Sequence, residues 1–232
     1  REIFEFPQIV AATSSAAEDQ AARLFSDIAP KILRLSPKEA ELAKLMTNAW
    51  RYIEFSIANQ FYMICESHGL DFYKIFGTIK DDYPRAAHFP SAGLTAGPCL
   101  LKDTAQLSAF HENNFHLGQA AMLINQSLPT FLIQQMEQKL GSLKNKKIVV
   151  LGTTFKADSD DIRQSLAYKI KNLLEIKMAE VLMSDIHVAG TVPTLQAIDQ
   201  CDGVILGAPH RSYLTLDIQK PFVDCWGVWK TK

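Results

Sequence analysis

The 232-residue sequence predicts an α/β protein in three parts. Two observations carry this. Strand-helix-strand patterns lie at both ends, and between them runs one unbroken helical pattern longer than a usual globular helix. The parts are residues 1–35, a β-α-β piece; residues 36–140, a helical middle; and residues 141–232, a doubly wound parallel sheet. The 24 Lys and Arg nearly balance 25 Asp and Glu, for a formal charge of −1. With no long basic block, nonspecific nucleic-acid binding is not the expected task. No apolar run approaches the roughly 20 residues of a membrane span, so no membrane partner is expected. Cys65, Cys99, Cys201 and Cys225 form no CxxC pair, and the six histidines form no HxxxH or HxH pattern. That argues against a disulfide framework or a zinc site and fits a reducing cytoplasm.

The first part opens with a strand over Pro7 to Ala12. Ser14-Ser15 caps a helix that runs to about Ala29, where Pro30 ends it. Lys31 to Leu35 alternates and reads as a second strand. One β-α-β unit cannot cover both faces of its own sheet. The expectation is that this piece belongs to a sheet whose other strands lie upstream of Arg1 or in another chain.

The middle begins at Ser36-Pro37-Lys38-Glu39, a capping box with proline at the first helical position. The helix should run to Ser67-His68 with Gly69 as its stop, about 32 residues or roughly 48 Å. Leu42, Leu45, Met46, Trp50, Ile53, Phe55, Ile57, Phe61 and Ile64 spread around most of its circumference. A helix apolar nearly all round is buried on several sides, which here suggests a subunit interface. Lys44, Asn48, Arg51 and Asn59 are its polar positions, either a solvated stripe or part of a site; Lys44 and Asn48 are neighbours on one face. A short helix over Asp71 to Phe76 follows, then a loop from Asp81. Another helix reads from Asp103 to Phe110, and the last runs from about Gly118 to Leu140 with Pro129 as a kink or break.

The third part reads as strand Lys146–Gly152, a helix from about Ile162 to Glu175, strand Glu180–Ser184, a short helix over Thr194 to Gln200, strand Gly203–Gly207 and a strand at Pro221–Asp224. Ligands of such sheets lie beyond the carboxyl ends of strands. Those ends carry Gly152 to Lys156, Asp185, Ala208 to His210, and Asp224. No GxGxxG fingerprint occurs here or elsewhere in the sequence.

The chemistry is expected at Thr95 to Asp103. Gly93 and Gly97 let the backbone approach a ligand, and Pro98 fixes the turn before Cys99. With Leu100 to Asp103 as a first helical turn, Cys99 sits at the positive end of a helix dipole, which favours the reactive thiolate. The alternative is a buried cysteine on a tight loop. Lys156 and Arg163 supply positive charge near a helix N-terminus, suited to phosphate; the alternative for each, taken alone, is a surface charge.

Together three motifs resemble those of the UDP-glucose/GDP-mannose dehydrogenase family, the nucleotide-sugar 6-dehydrogenases. Glu41-Leu42-Ala43-Lys44-Leu45-Met46-Thr47-Asn48 matches its E-x-x-K-x-x-x-N helix. Gly97-Pro98-Cys99-Leu100-Leu101-Lys102-Asp103 is similar to its GG-x-C-x-x-x-D loop, with Ala96 in place of the first glycine. Leu151-Gly152-Thr153-Thr154-Phe155-Lys156 through Asp160-Asp161-Ile162-Arg163-Gln164-Ser165 is close to its LG-x-x-FK-x-x-x-DD-x-R-x-S. The resemblance implies a remnant of an NAD-binding Rossmann domain at residues 1–35, a central dimerisation domain on the long helix, and a Rossmann-like nucleotide-sugar-binding domain. It implies NAD as cofactor, a UDP-sugar or other nucleotide sugar as substrate, and a role in bacterial surface-polysaccharide synthesis. By resemblance Cys99 attacks the C6 aldehyde to give a thiohemiacetal and then a thioester. Lys44 and Asn48 stabilise the oxyanion, and Asp103 positions or activates the hydrolytic water. Lys156 and Gly97 face the nucleotide sugar, Arg163 faces NAD, and Arg85 crosses to the neighbouring subunit's sugar. Asp224-Cys225-Trp226-Gly227 stands where other members have Asp-Gly-Arg. The family's GxGxxG domain and its glutamate are absent from these residues, so the expectation is a truncated chain inactive alone. The alternatives are a non-catalytic dimeric nucleotide-sugar-binding module, and a 3-hydroxyacid-type dehydrogenase of related architecture that needs no cysteine.

Overall fold

The computed structural model describes residues 2–229. A short helix α1 (Glu2–Glu5) precedes strand β1 (Gln8–Val10), helix α2 (Ser15–Ser26) and strand β2 (Ile32–Arg34). The two strands pair in parallel, Ile9 opposite Leu33. The Ser14 side chain caps α2 by accepting from Ala17 N. Val10 and Ala22 are buried, but Ile3, Phe4, Phe6, Ile9 and Leu33 are exposed. The first part therefore forms its elements without covering them.

Helix α3 (Pro37–Ser67) spans 31 residues. Its start is fixed by Glu39, whose carboxylate accepts from Ser36 N at 2.8 Å and Ser36 Oγ at 2.6 Å. Its stop is Gly69 at φ +68°, after which Leu70 N donates back to Cys65 O. One broad face, with Leu45, Tyr52, Ala58 and Tyr62, is buried. A second, narrower stripe of Met46, Trp50, Ile57, Phe61 and Ile64 stays exposed. These five fall within one third of the helix circumference at 100° per residue.

Helices α4 (Phe72–Lys80), α5 (Leu100–Phe110) and α6 (His116–Leu140) complete the middle. Helix α4 is longer than the sequence pattern suggested. Helix α6 begins earlier and runs through Pro129 without a break. Pro129, Leu128, Leu132 and Met136 are buried, and this packing outweighs the loss of one backbone hydrogen bond.

The third part is a four-stranded parallel sheet in the order β4-β3-β5-β6. Its strands are β3 (Lys147–Leu151), β4 (Glu180–Ser184), β5 (Gly203–Leu206) and β6 (Phe222–Val223), linked by α7 (Leu166–Ile176) and α8 (Thr194–Gln200). Ile148, Val150 and Ile205 join the core beneath α3, α6 and α7. Val149, Leu151, Val204 and Leu206 pack on the other face with Ala197, Tyr213 and Trp229. Helix α7 starts at Leu166, not Ile162. Gln164 has φ +56°, and Ser165 is the cap, its Oγ accepting from Ala167 N. Asp161 instead closes a local turn onto Arg163 N.

Candidate active site

Helix α3 presents Lys44 and Asn48 one turn apart, facing the first turn of α5. Asn48 Nδ2 donates to Asp103 Oδ2 at 2.5 Å, and Lys44 Nζ donates to the same oxygen. Asp103 is 1% exposed. Burial pushes its carboxyl up, but hydrogen bonds from Lys44 and Asn48 and the charges of Lys44 and Lys102 outweigh that. The net result lies below the ordinary carboxylate value. Asp103 Oδ1 is buried and accepts no hydrogen bond from the described residues.

Cys99 caps α5, its carbonyl accepting from Asp103 N at 2.8 Å. It is exposed, whereas Cys201 and Cys225 are buried. The loop before it is clamped. Asn59 accepts from Gly93 N at 2.9 Å and donates to Gly93 O at 3.0 Å, while its Nδ2 also reaches Asn125 Oδ1 at 2.9 Å. Asn59 is fully buried, so it is no part of a solvated stripe. Gly97 stands at φ +101°, and a Cβ there would lie 2.8 Å from the Phe155 ring. Only glycine satisfies both conditions.

A cavity of about 630 Å³ opens between this loop and the carboxyl ends of β3, β5 and β6. Cys99, Gly97, Asn48, Lys156 and Arg163 all line it. Phe155, Pro209 and Trp226 form its wall on the sheet side, and Arg51 and Phe55 belong to α3. Lys44 and Asp103 stand behind Asn48 rather than in this cavity. Arg85 does not line it; it lies exposed on the short 3-10 turn Pro84–Ala86. Lys156 makes no ion pair among the described residues, its Nζ lying 5.5 Å from the Phe155 ring centre. Arg163 grips Asp161 with two N–H groups, at 3.0 Å and 2.7 Å, and so draws the Asp161 carboxyl down to about 2.

Three strand-end residues that the sequence directed toward ligand turn inward instead. Asp185 Oδ2 accepts from Thr153 N at 2.5 Å, Thr154 N at 3.3 Å and His210 Nε2 at 3.0 Å, and Oδ1 accepts from His187 N. Burial works against the Asp185 charge, yet these donors hold its carboxyl down at about 2. His210 is buried, and its Nδ1 accepts from Asp158 N at 2.9 Å. Asp224 accepts from Trp226 N, Gly227 N and Trp229 N. Asp158, His187 and His210 bring ligand atoms within 4.8 Å of one another. Both His210 nitrogens are already engaged, so this trio offers no ready metal site.

The β3–α7 loop also decides the fit to a dinucleotide. Gly152 lies at φ +83° against the Ala208 backbone, where a Cβ would meet Ala208 O at 2.4 Å. Thr153 and Thr154 give their N–H groups to Asp185 rather than leaving them for a pyrophosphate. NAD does not fit at this sheet. A separate groove of about 580 Å³ between residues 3–9 and the start of α3 also reaches Lys44 and Asn48.

The family models decide the affiliation. The central domain of the UDP-glucose/GDP-mannose dehydrogenase family matches residues 38–127, and its UDP binding domain matches residues 149–231. The chain belongs to the UDP-glucose/GDP-mannose dehydrogenase family. It is 27% identical over 224 residues to a UDP-N-acetyl-D-mannosamine dehydrogenase of Pyrococcus horikoshii, covering 94% of this chain and 53% of that protein. It is 29% identical over 186 residues to a UDP-glucose 6-dehydrogenase of Haloferax volcanii, covering 76% and 43%. A solved UDP-glucose dehydrogenase from Pyrobaculum islandicum superposes with a TM-score of 0.89 at 27% identity, covering 99% of this chain and 57% of that one. The chain spans about half the length of the curated relatives it matches. No helix among the described residues is long and apolar enough to cross a membrane.

Proposed function

We propose that these residues are the sugar-nucleotide-binding, thiol-bearing part of a nucleotide-sugar 6-dehydrogenase, which takes a UDP-sugar C6 alcohol to a uronic acid with NAD as hydride acceptor. The observation that carries this is the shared cavity: an exposed thiol, an amide and unpaired positive charge converge on it. Lys156 binds the nucleotide sugar, and Cys99 Sγ adds to the C6 aldehyde to form a thiohemiacetal. Asn48, which lines the cavity, keeps a second N–H beyond the one given to Asp103, and this receives the oxyanion; Lys44 is assigned to the same oxyanion by resemblance. Asp103 is assigned by resemblance to position or activate the hydrolytic water; here it is buried behind Asn48 and accepts from Lys44 and Asn48. Arg163 and Arg85 are assigned by resemblance alone, Arg163 to NAD and Arg85 to a neighbouring subunit's sugar.

The exposed stripe on α3 supports a homodimer through that helix. Light scattering at micromolar concentration should report a dimer; a monomer overturns this part. Because the loop after β3 gives its N–H groups to Asp185 and no GxGxxG turn occurs in the sequence, the 232-residue polypeptide alone should bind nucleotide sugar and leave NAD unreduced. The second reading is a dimeric nucleotide-sugar-binding module without catalysis. Steady NADH production from UDP-glucose would remove it.

The direct test is a thermal-shift panel of UDP, UDP-glucose, UDP-N-acetyl sugars and GDP-mannose. A UDP-sugar should raise the midpoint, and Lys156→Ala should weaken its binding about tenfold, as for a lost charged hydrogen bond. If no nucleotide sugar shifts the midpoint, the proposal fails.

A further inference from the structure

We infer that Trp226 is the wall against which the nucleobase of a nucleoside-diphosphate sugar stacks, so that the cleft runs from Cys99 at one end to this indole at the other. The inference deepens the proposed function and rests on it.

Two features of the cleft support it. The first comes from the sheet. Phe155 and Trp226 follow the carboxyl ends of β3 and β6, with β5 between them. Neighbouring strands lie about 4.8 Å apart, which separates these rings by about 10 Å along the sheet. The second comes from the opposing segment. The Phe155 ring lies against Gly97 and the Trp226 ring against Gly93, where added Cβ atoms would fall 2.8 Å and 2.2 Å away. Four residues of chain reach at most about 14 Å, enough to span that separation. Cys99 is two residues beyond Gly97, so the thiol belongs to the β3 end. A nucleotide sugar with C6 at Cys99 then lays down its pyranose, its diphosphate and its ribose in that order, and its base comes to the β6 end.

The indole is fixed before a ligand arrives. Asp224, 1% exposed, holds Trp226 N at 2.7 Å, Gly227 N at 3.1 Å and Trp229 N at 2.9 Å. The Tyr73 hydroxyl donates to Cys225 O at 2.6 Å. The indole N–H is buried with no acceptor among the described residues, so shape, not its one polar atom, sets the ring. A rigid aromatic face loses little freedom on binding, and every base offers a π-face to it.

The test uses calorimetry on the 232-residue chain with UDP and inorganic pyrophosphate as probes, plus tryptophan fluorescence. Trp226→Leu should weaken UDP about tenfold, the size of one lost stacking contact, and leave pyrophosphate within about twofold. Trp226→Phe should keep most of the UDP affinity but lose the fluorescence quenching that UDP causes in the wild type, although Trp50 and Trp229 remain. Unchanged UDP binding by Trp226→Leu overturns the inference. So does equal weakening of both probes, or quenching that survives in Trp226→Phe, which also decides the matter if the Leu variant fails to fold. A wild-type chain that binds no UDP overturns the proposed function along with it.

Discussion

The two ends of the molecule carry the same local pattern and reach different outcomes. β1 and β2, joined by α2, pair in parallel, as do β3 and β4, joined by α7. At the C-terminal end both faces of the sheet are covered, and Ile148, Val149, Val150 and Leu151 are fully buried. At the N-terminal end Ile9 is 45% and Leu33 38% exposed. A parallel pair draws little stability from its own hydrogen bonds; what stabilises it is the apolar cover that helices bring to each face. Sequence pattern suffices to make the strands, but cover decides whether they are a core.

The difference can be pressed hardest through electrostatics. Asp185 is buried and takes donors from two threonines and His210, whereas Arg34 meets Glu18 and Asp19 at the surface. Asp185→Ala should destabilise the chain by about 4 kcal/mol in urea unfolding, as breaking a buried pair does. Arg34→Ala should cost under about 1 kcal/mol. Equal effects would break the comparison.

Core truncation should come next. Ile205→Ala should cost about 3 kcal/mol. Ile9→Ala, on the exposed strand, should stay within about 0.5 kcal/mol, as surface substitutions do. Acid supplies a smaller effect. The Asp185 carboxyl is at about 2 in the folded state, below its unfolded value. Its contribution is therefore complete above about pH 4 and is lost as pH falls toward 2, about 2 kcal/mol in all. Asp185→Asn should flatten that acid limb; an unchanged limb would assign it to other carboxylates. The mildest test perturbs nothing: backbone amides of β1 and β2 should exchange with solvent well before those of β3 and β5.

Much of this was legible in the sequence, for reasons that are local. The capping box at Ser36 and the glycine at position 69 fix α3 because both act within a turn of the helix end. Lys44, Asn48, Cys99 and Asp103 could be singled out because they lie in short motifs. What escaped is non-local or competes locally. Asn59 clamps Gly93 across 34 residues and meets Asn125 across 66, and no periodicity announces either contact. The helix expected from about Ile162 starts at Leu166, because Asp161 closes its own turn onto Arg163 and Ser165 caps the helix. Asp185, Asp224 and His210 sit at strand ends as expected, yet each serves backbone N–H groups in the loops instead of facing a ligand.

The uneven exposure of the cysteines has a practical side. Cys99 lies open to solvent, Cys65 is half-buried, and Cys201 and Cys225 are enclosed. Burial and nearby carboxylates push the Cys65 thiol up, and burial does the same for Cys201. A mercurial or maleimide spin label would attach first at the cleft, giving a single addressable atom. From there a heavy-atom signal or the mobility of the spin label reports on the site without any engineered residue.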